Sequence, residues 1–267
     1  MQDFHDLWRR STVAELSWLS PGGPCGIPVV PLDDGGRPCA ALPLSLLPEI
    51  DSLPGRAALS VTVPGVADPD RPGQVAVGPV EVRLDPRGKL FGGELVEQEA
   101  HKHPPTRLRA GSLMARNENW WWMGRALVFL SEAESVHTVR PRSSADHALL
   151  VREEHGAPAV RVVSSPDWSV RTDRPSLPLA DAGGTALEGR GEKVLVFGHQ
   201  ASPDFERWER WTREGTLTGQ DLVVAGAEGG PDPSPRPFGL LERLRNHREV
   251  ERACTAGVAE LERRERL

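Results

Sequence analysis

The chain has 267 residues and a formal net charge of −6, from 32 Lys and Arg against 38 Asp and Glu. That length is enough for one large or two small cores. The acidic balance argues against a nucleic-acid partner, whose phosphates need a basic surplus. No apolar run approaches the length of a membrane span. Cys25, Cys39 and Cys254 lack metal-type spacing, so a reduced, cytoplasmic setting is expected and a disulfide scaffold is not.

Abundant Gly and Pro, 27 and 25 residues, favour short strands and turns over long helices. The opening MQDFHDLWRR lacks the apolar region of a secretory signal. Residues 3–12 read as a short helix with Phe4, Leu7 and Trp8 on one side. An antiparallel meander follows: Ala14–Leu19, a turn at SPGG, Ile27–Leu32, a turn at DDGG, and Cys39–Leu44. A short helix is expected over Leu44–Leu53, then a strand in AALSVTV. QVAVGPVEVRLD reads as a long strand in which Gly78 marks a bulge or a close approach. Phe91–Arg116 reads as helical, broken by Pro104 and Pro105. ENWWWMGRALVFL, Glu118–Leu130, reads as a strand, in which Trp121 faces away from Trp120 and Trp122.

The second half repeats this plan. HALLVREEHGAPAVRVV has the strand, Gly turn, x-Pro, strand layout of ELSWLSPGGPCGIPVV. The later run from EKVLVFGHQ to LTGQDLVVAG has a strand, a loop and a long strand with a central Gly215. Residues 164–191 form the loosest loop, with room for one short strand. In ERWERW, Trp208 and Trp211 share a face if the segment is helical. After the linker GGPDPSPRP the chain closes as one amphipathic helix or two.

The meander AELSWLSPGGPCGIPVVPLDDGGRPCAALPL resembles the first hairpins of the FMN-binding split β-barrel, the fold of pyridoxamine 5′-phosphate oxidase-like proteins. GPVEVRLD resembles a later barrel strand, and HKHPPTRLRAGSLMARNENWWWMGR is similar to a segment of an actinobacterial branch of that family. The resemblance spans residues 10–135, and 145–230 if the duplication is real. It implies a mostly β (α+β) fold: a split β-barrel duplicated in tandem, with short helices and a C-terminal helix. The expected boundaries are a barrel domain over 1–140, a divergent second half over 141–235 and a helical segment over 236–267. One chain would then act as an intrachain pseudo-dimer, with a homodimer as the alternative. One departure stands out: where the family places phosphate-gripping cations, this chain has Ser45, Glu49 and Asp51, and its first cation is Arg56.

The implied function is a flavin-binding oxidoreductase that holds FMN and a small-molecule substrate. Haem, deazaflavin (F420) and a cofactor-free module are the alternatives. HKHPPTRLR gathers His101, Lys102, His103, Arg107 and Arg109, either to grip an anion or as a solvated helix end. His103 is preferred among them, because Pro104 holds its backbone extended. For haem the axial candidates are His103, His101 and His199. For the deazaflavin tail they are Lys102, Arg107, Arg109 and Arg125. Arg56 and Arg125 are further phosphate candidates. Trp120 and Trp122 either fill the barrel or flank a planar ring. No nucleophile elbow, HExxH, Walker loop or helix-opening GxGxxG is present.

Overall fold

The computed structural model describes residues 2–53, 55–63, 71–111, 121–144, 146–169, 176–264 and 266. Helix α1 (Gln2–Arg10) buries Phe4, Leu7 and Trp8, as their helical spacing predicts. The Trp8 indole donates to Leu32 O at 2.7 Å. The first sheet comprises β1 (Ala14–Ser20), β2 (Gly23–Val29), β3 (Pro31–Asp34), β4 (Arg37–Pro43), β5 (Arg56–Val61), β6 (Gly73–Asp85), β7 (Arg125–Leu130) and β8 (Ser135–Val139). Their order is β2-β1-β5-β6-β7-β4-β3, with β8 added on β6. The two outer strands of that path, β2 and β3, are separated in the chain by Val30 alone. The sheet therefore has to curl until its edges meet, and it forms a nearly closed antiparallel barrel. Strand β6 changes partners along its length, pairing β5 up to Pro79 and β7 from Val80. A Cβ on Gly78 would lie 1.9 Å from Glu132 O, so Gly78 marks a close approach.

The second sheet comprises β9 (His147–Glu154), β10 (Ala157–Ser164), β11 (Ser176–Pro178), β12 (Ala180–Asp181), β13 (Gly189–Ala201), β14 (Trp208–Gly219) and β15 (Asp221–Glu228). Its order is β11-β15-β14-β13-β9-β10-β12. The run β10-β9-β13-β14-β15 thus follows the same path as β2-β1-β5-β6-β7. The loose loop holds two short strands, β11 and β12, rather than one, and residues 170–175 lie outside the described residues. Short helices are α2 (Leu47–Asp51), α3 (Val96–Lys102) and α4 (Pro104–Ala110), and a π-type turn spans Phe91–Leu95. The C-terminal segment is one long helix, α5 (Leu240–Arg264). No described helix is long and apolar enough to cross a membrane.

Two expectations change. The strand of the tryptophan segment starts only at Arg125, and Trp121 and Trp122 lie in a tight turn before it. The Arg125 guanidinium binds the carbonyls of Trp122 and Gly124, occupying them inside the turn. Strand alternation therefore does not apply to the tryptophans, and Trp120 lies outside the described residues. ERWERW is likewise strand from Trp208 onward, so residues three apart face opposite ways. Trp211 packs on Trp168 at a centroid distance of 5.0 Å, while Trp208 turns toward the first sheet.

The two sheets share a core in which Ala58, Val75 and Val77 pack with Leu149, Val151, Val160 and Phe197. Beside it lies a charged node. Glu15 is fully buried and accepts from Ser60 Oγ (2.8 Å), Thr62 Oγ1 (2.6 Å) and Arg142 Nη2 (3.2 Å). His199 Nε2 is 3.1 Å from the same carboxylate, and the Trp208 indole donates to His199 Nδ1 at 3.2 Å. An indole N–H can only donate, so Nδ1 accepts and the ring proton sits on Nε2, facing Glu15. Arg142 Nη2 is 2.7 Å from Nε2, which disfavours a second proton. Burial and then this arginine push His199 down to about 4. Burial raises the Glu15 pKa, but its bonds from His199, Arg142 and Thr62 outweigh that and leave it below the ordinary range.

Both groups have folded pKa values below their unfolded ones, so the unfolded chain binds more protons and acid destabilises the fold. Urea unfolding should lose stability as pH falls from 6.5 toward about 4, with His199 alone contributing up to about 3 kcal/mol. His199→Asn, which has no titrating ring, should show a shallower slope between pH 6.5 and 5. An equal slope in both proteins would contradict this assignment.

Candidate functional site

A cavity of about 680 Å³ opens where β2, β4, α4, residues 205–209 and α5 meet, within the usual size range of small-molecule sites. Its apolar wall includes Val29, Leu42 and Pro105, and its charged wall includes His103, Arg109 and Arg125. His103 stands at the break between α3 and α4, with φ −126° and ψ 97°, the extended state that a following proline imposes. Its Nδ1 is 3.0 Å from Thr106 Oγ1, which donates to Glu99 Oε1 at 2.6 Å. The hydroxyl proton is thereby committed to Glu99, so Nδ1–H donates to Thr106. Burial lowers the His103 pKa, and Arg109 and Arg125 act in the same direction against Glu99 and the Phe205 backbone. The ring is therefore neutral near pH 7.

Arg125 is buried at the start of β7, with its guanidinium carbon 4.3 Å from the Phe91 ring centroid. Nη2 faces Glu99 Oε1 at 3.4 Å, while Nε has no hydrogen-bond partner among the described residues. Arg109 lies over the Trp121 ring at 5.8 Å. Burial lowers its pKa, and the Arg125 charge adds to that effect. Two neighbouring guanidinium groups, one with a spare buried N–H, suit an anion.

The other candidates are dispersed. Arg56 is exposed and pairs with Glu134. Arg107 is exposed on α4. Lys102 donates to Pro31 O at 2.6 Å, and burial pushes it down to about 8. It lines a separate groove with His101, Asp33 and Glu97. Trp122 is buried among Phe91, Leu127 and Phe129. His199 belongs to the node between the sheets, with both ring nitrogens engaged. Asp51, in the segment that departs from the family pattern, pairs with Arg264 of α5 at 2.7 Å.

Sequence reasoning missed Glu99, Thr106 and Phe205. The i, i+7 pairing of Glu99 with Thr106 was readable only if the helix continued through the proline break in a fixed direction.

No family model and no curated protein matches the chain. Solved structures that resemble it include a conserved hypothetical protein from Mycobacterium tuberculosis, at 13% identity and TM-score 0.34, covering 53% of this chain and 85% of that one. A FAD-binding protein from Mesorhizobium loti has 17% identity and TM-score 0.32, with coverages of 51% and 90%. A heme binding protein from Mycobacterium smegmatis has 14% identity and TM-score 0.30, with coverages of 94% and 97%.

The Thr106 hydroxyl is buried between two polar partners. Thr106→Val should therefore lose about 1–3 kcal/mol in urea unfolding. Thr106→Ser, which keeps the hydroxyl, should lose less than about 1 kcal/mol. Equal losses would contradict the relay.

Proposed function

We propose that this chain is a flavin-binding, oxidoreductase-like protein whose FMN occupies the cavity beside α5. The observation that carries this reading is the convergence of His103, Arg109 and Arg125 on one partly apolar cavity, with the Arg125 Nε–H buried and without a partner among the described residues. The donor set fits an anionic group: Arg109 and Arg125 would hold the phosphate through charge-assisted bonds. Bound flavin supplies hydride or electron chemistry, while the protein contributes binding and electrostatics. Neutral His103 keeps additional positive charge out of the pocket, and the apolar wall excludes water. Splitting the chain at 1–140, 141–235 and 236–267 as a tandem pair of barrel-like halves is part of the same reading. It is supported by the shared strand path of the two sheets.

A haem-binding reading is favoured by one observation. His103 Nδ1 is tied through Thr106 to Glu99, the kind of outer-shell contact that orients an imidazole ligand. Of the three histidine candidates, only His103 lines the cavity. The four cations proposed for a deazaflavin tail are divided between two grooves and the surface.

Titration with FMN and with hemin separately, followed by visible absorbance, tests both readings. FMN should bind saturably, and Arg125→Gln should weaken it about tenfold or more, the effect of losing a charged hydrogen bond. A Soret band on hemin addition that is lost in His103→Ala would transfer the site to haem. Absence of saturable FMN binding by the native chain overturns the flavin reading.

A further inference from the structure

Three rings of the cavity wall, His103, Phe205 and Trp208, stand 6.1–6.3 Å apart, centroid to centroid. His103 and Trp208 are inclined by 36°, and Phe205 meets both edge-on at 84°. Each ring is fixed independently of the cavity contents. His103 is tied through Thr106 to buried Glu99. Trp208 is tied through His199 to buried Glu15. Phe205 is held at φ 58°, a left-handed conformation uncommon for a bulky side chain. Ser202 braces that loop: its carbonyl accepts from Phe205 N at 2.8 Å, and its N–H donates to Arg207 O at 2.8 Å. Its hydroxyl donates to Asp204 Oδ1 at 2.6 Å.

The indole N–H of Trp208 is consumed on the His199 side, so a half-buried tryptophan on the cavity wall offers a ligand only carbon surface and π-face. Backbone strain held by a surrounding brace is a mark of ligand sites, and Phe205 carries it here. A core-filling role requires neither the strained backbone nor relays that end on two separate buried carboxylates.

We propose that His103, Phe205 and Trp208 form a preorganised subsite for a planar heteroaromatic ring, with Trp208 as its stacking wall and His199 as the residue that positions Trp208. This rests on the cofactor reading above and assigns its two ends: the flavin ring meets the aromatic subsite, and the phosphate meets Arg109 and Arg125.

Riboflavin, which has the ring but no phosphate, separates the two ends when titrated beside FMN with flavin and tryptophan fluorescence as readouts. Trp208→Leu should weaken both ligands alike, by about tenfold. Trp208→Phe, which keeps a flat ring, should retain most of the affinity. Arg125→Gln should weaken FMN but not riboflavin. His199→Asn places a carbonyl where Nδ1 stood, so affinity and the Trp208 indole N–H resonance should stay near native. His199→Phe should shift that resonance and weaken both ligands as Trp208→Leu does. If native protein binds flavin while Trp208→Leu, or a folded His199→Phe, binds it equally well, the subsite is wrong and the cofactor reading stands. If native protein binds neither ligand, both fall.

Discussion

A carboxylate with no access to water dominates the arrangement of this chain. An isolated buried carboxylate is strongly disfavoured, and Glu15 is tolerated because donors from several separate elements converge on it. Ser60 and Thr62 come from β5 and its end, Arg142 from the segment between β8 and β9, and His199 from β13. Those elements belong to both sheets, so satisfying one charge fixes how the sheets meet. The apolar contacts around Phe197 add burial energy, but burial is non-directional. The hydrogen bonds supply the register.

The cavity follows from that meeting. Its wall combines β2 and β4 of the first sheet with the residues leading into β14 of the second, and α5 runs beside both. His103 and Trp208 on that wall are tied from behind, through Thr106 to Glu99 and through His199 to Glu15, which leaves ring faces toward the space. A site held by rigid neighbours incurs little ordering cost when a ligand enters. The same logic explains why His103 lies at a helix break: Pro104 keeps its backbone extended, and the imidazole leaves the line of α3.

Much of the framework was legible in the sequence because it depends on local chemistry. The meander turns, the helix break at Pro104 and the close approach at Gly78 each follow from a residue with restricted or unusual backbone freedom. The cluster around His103 was visible as composition, and Arg125 as a cation beside the tryptophans. What was not legible depended on partners far along the chain. Glu15 and Ser17 alternate with Leu16 and Trp18, a pattern that reads as a solvated strand face; the second sheet covers that face. Arg142 stands in the polar stretch VRPRSSAD, where nothing local marks it as a partner of Glu15. Trp208 depended on choosing strand over helix for ERWERW, a segment whose spacing suits a helix until its pairing with β13 is known.

Amide hydrogen exchange with and without saturating FMN reports where on the molecule the ligand sits. Protection should rise over 103–109, 202–209 and the 243–250 stretch of α5, and stay unchanged in the groove between β8 and β10 that His137, Arg140 and Arg161 line. Protection centred on that groove, or on the Lys102 groove beside α1, would contradict FMN binding beside α5.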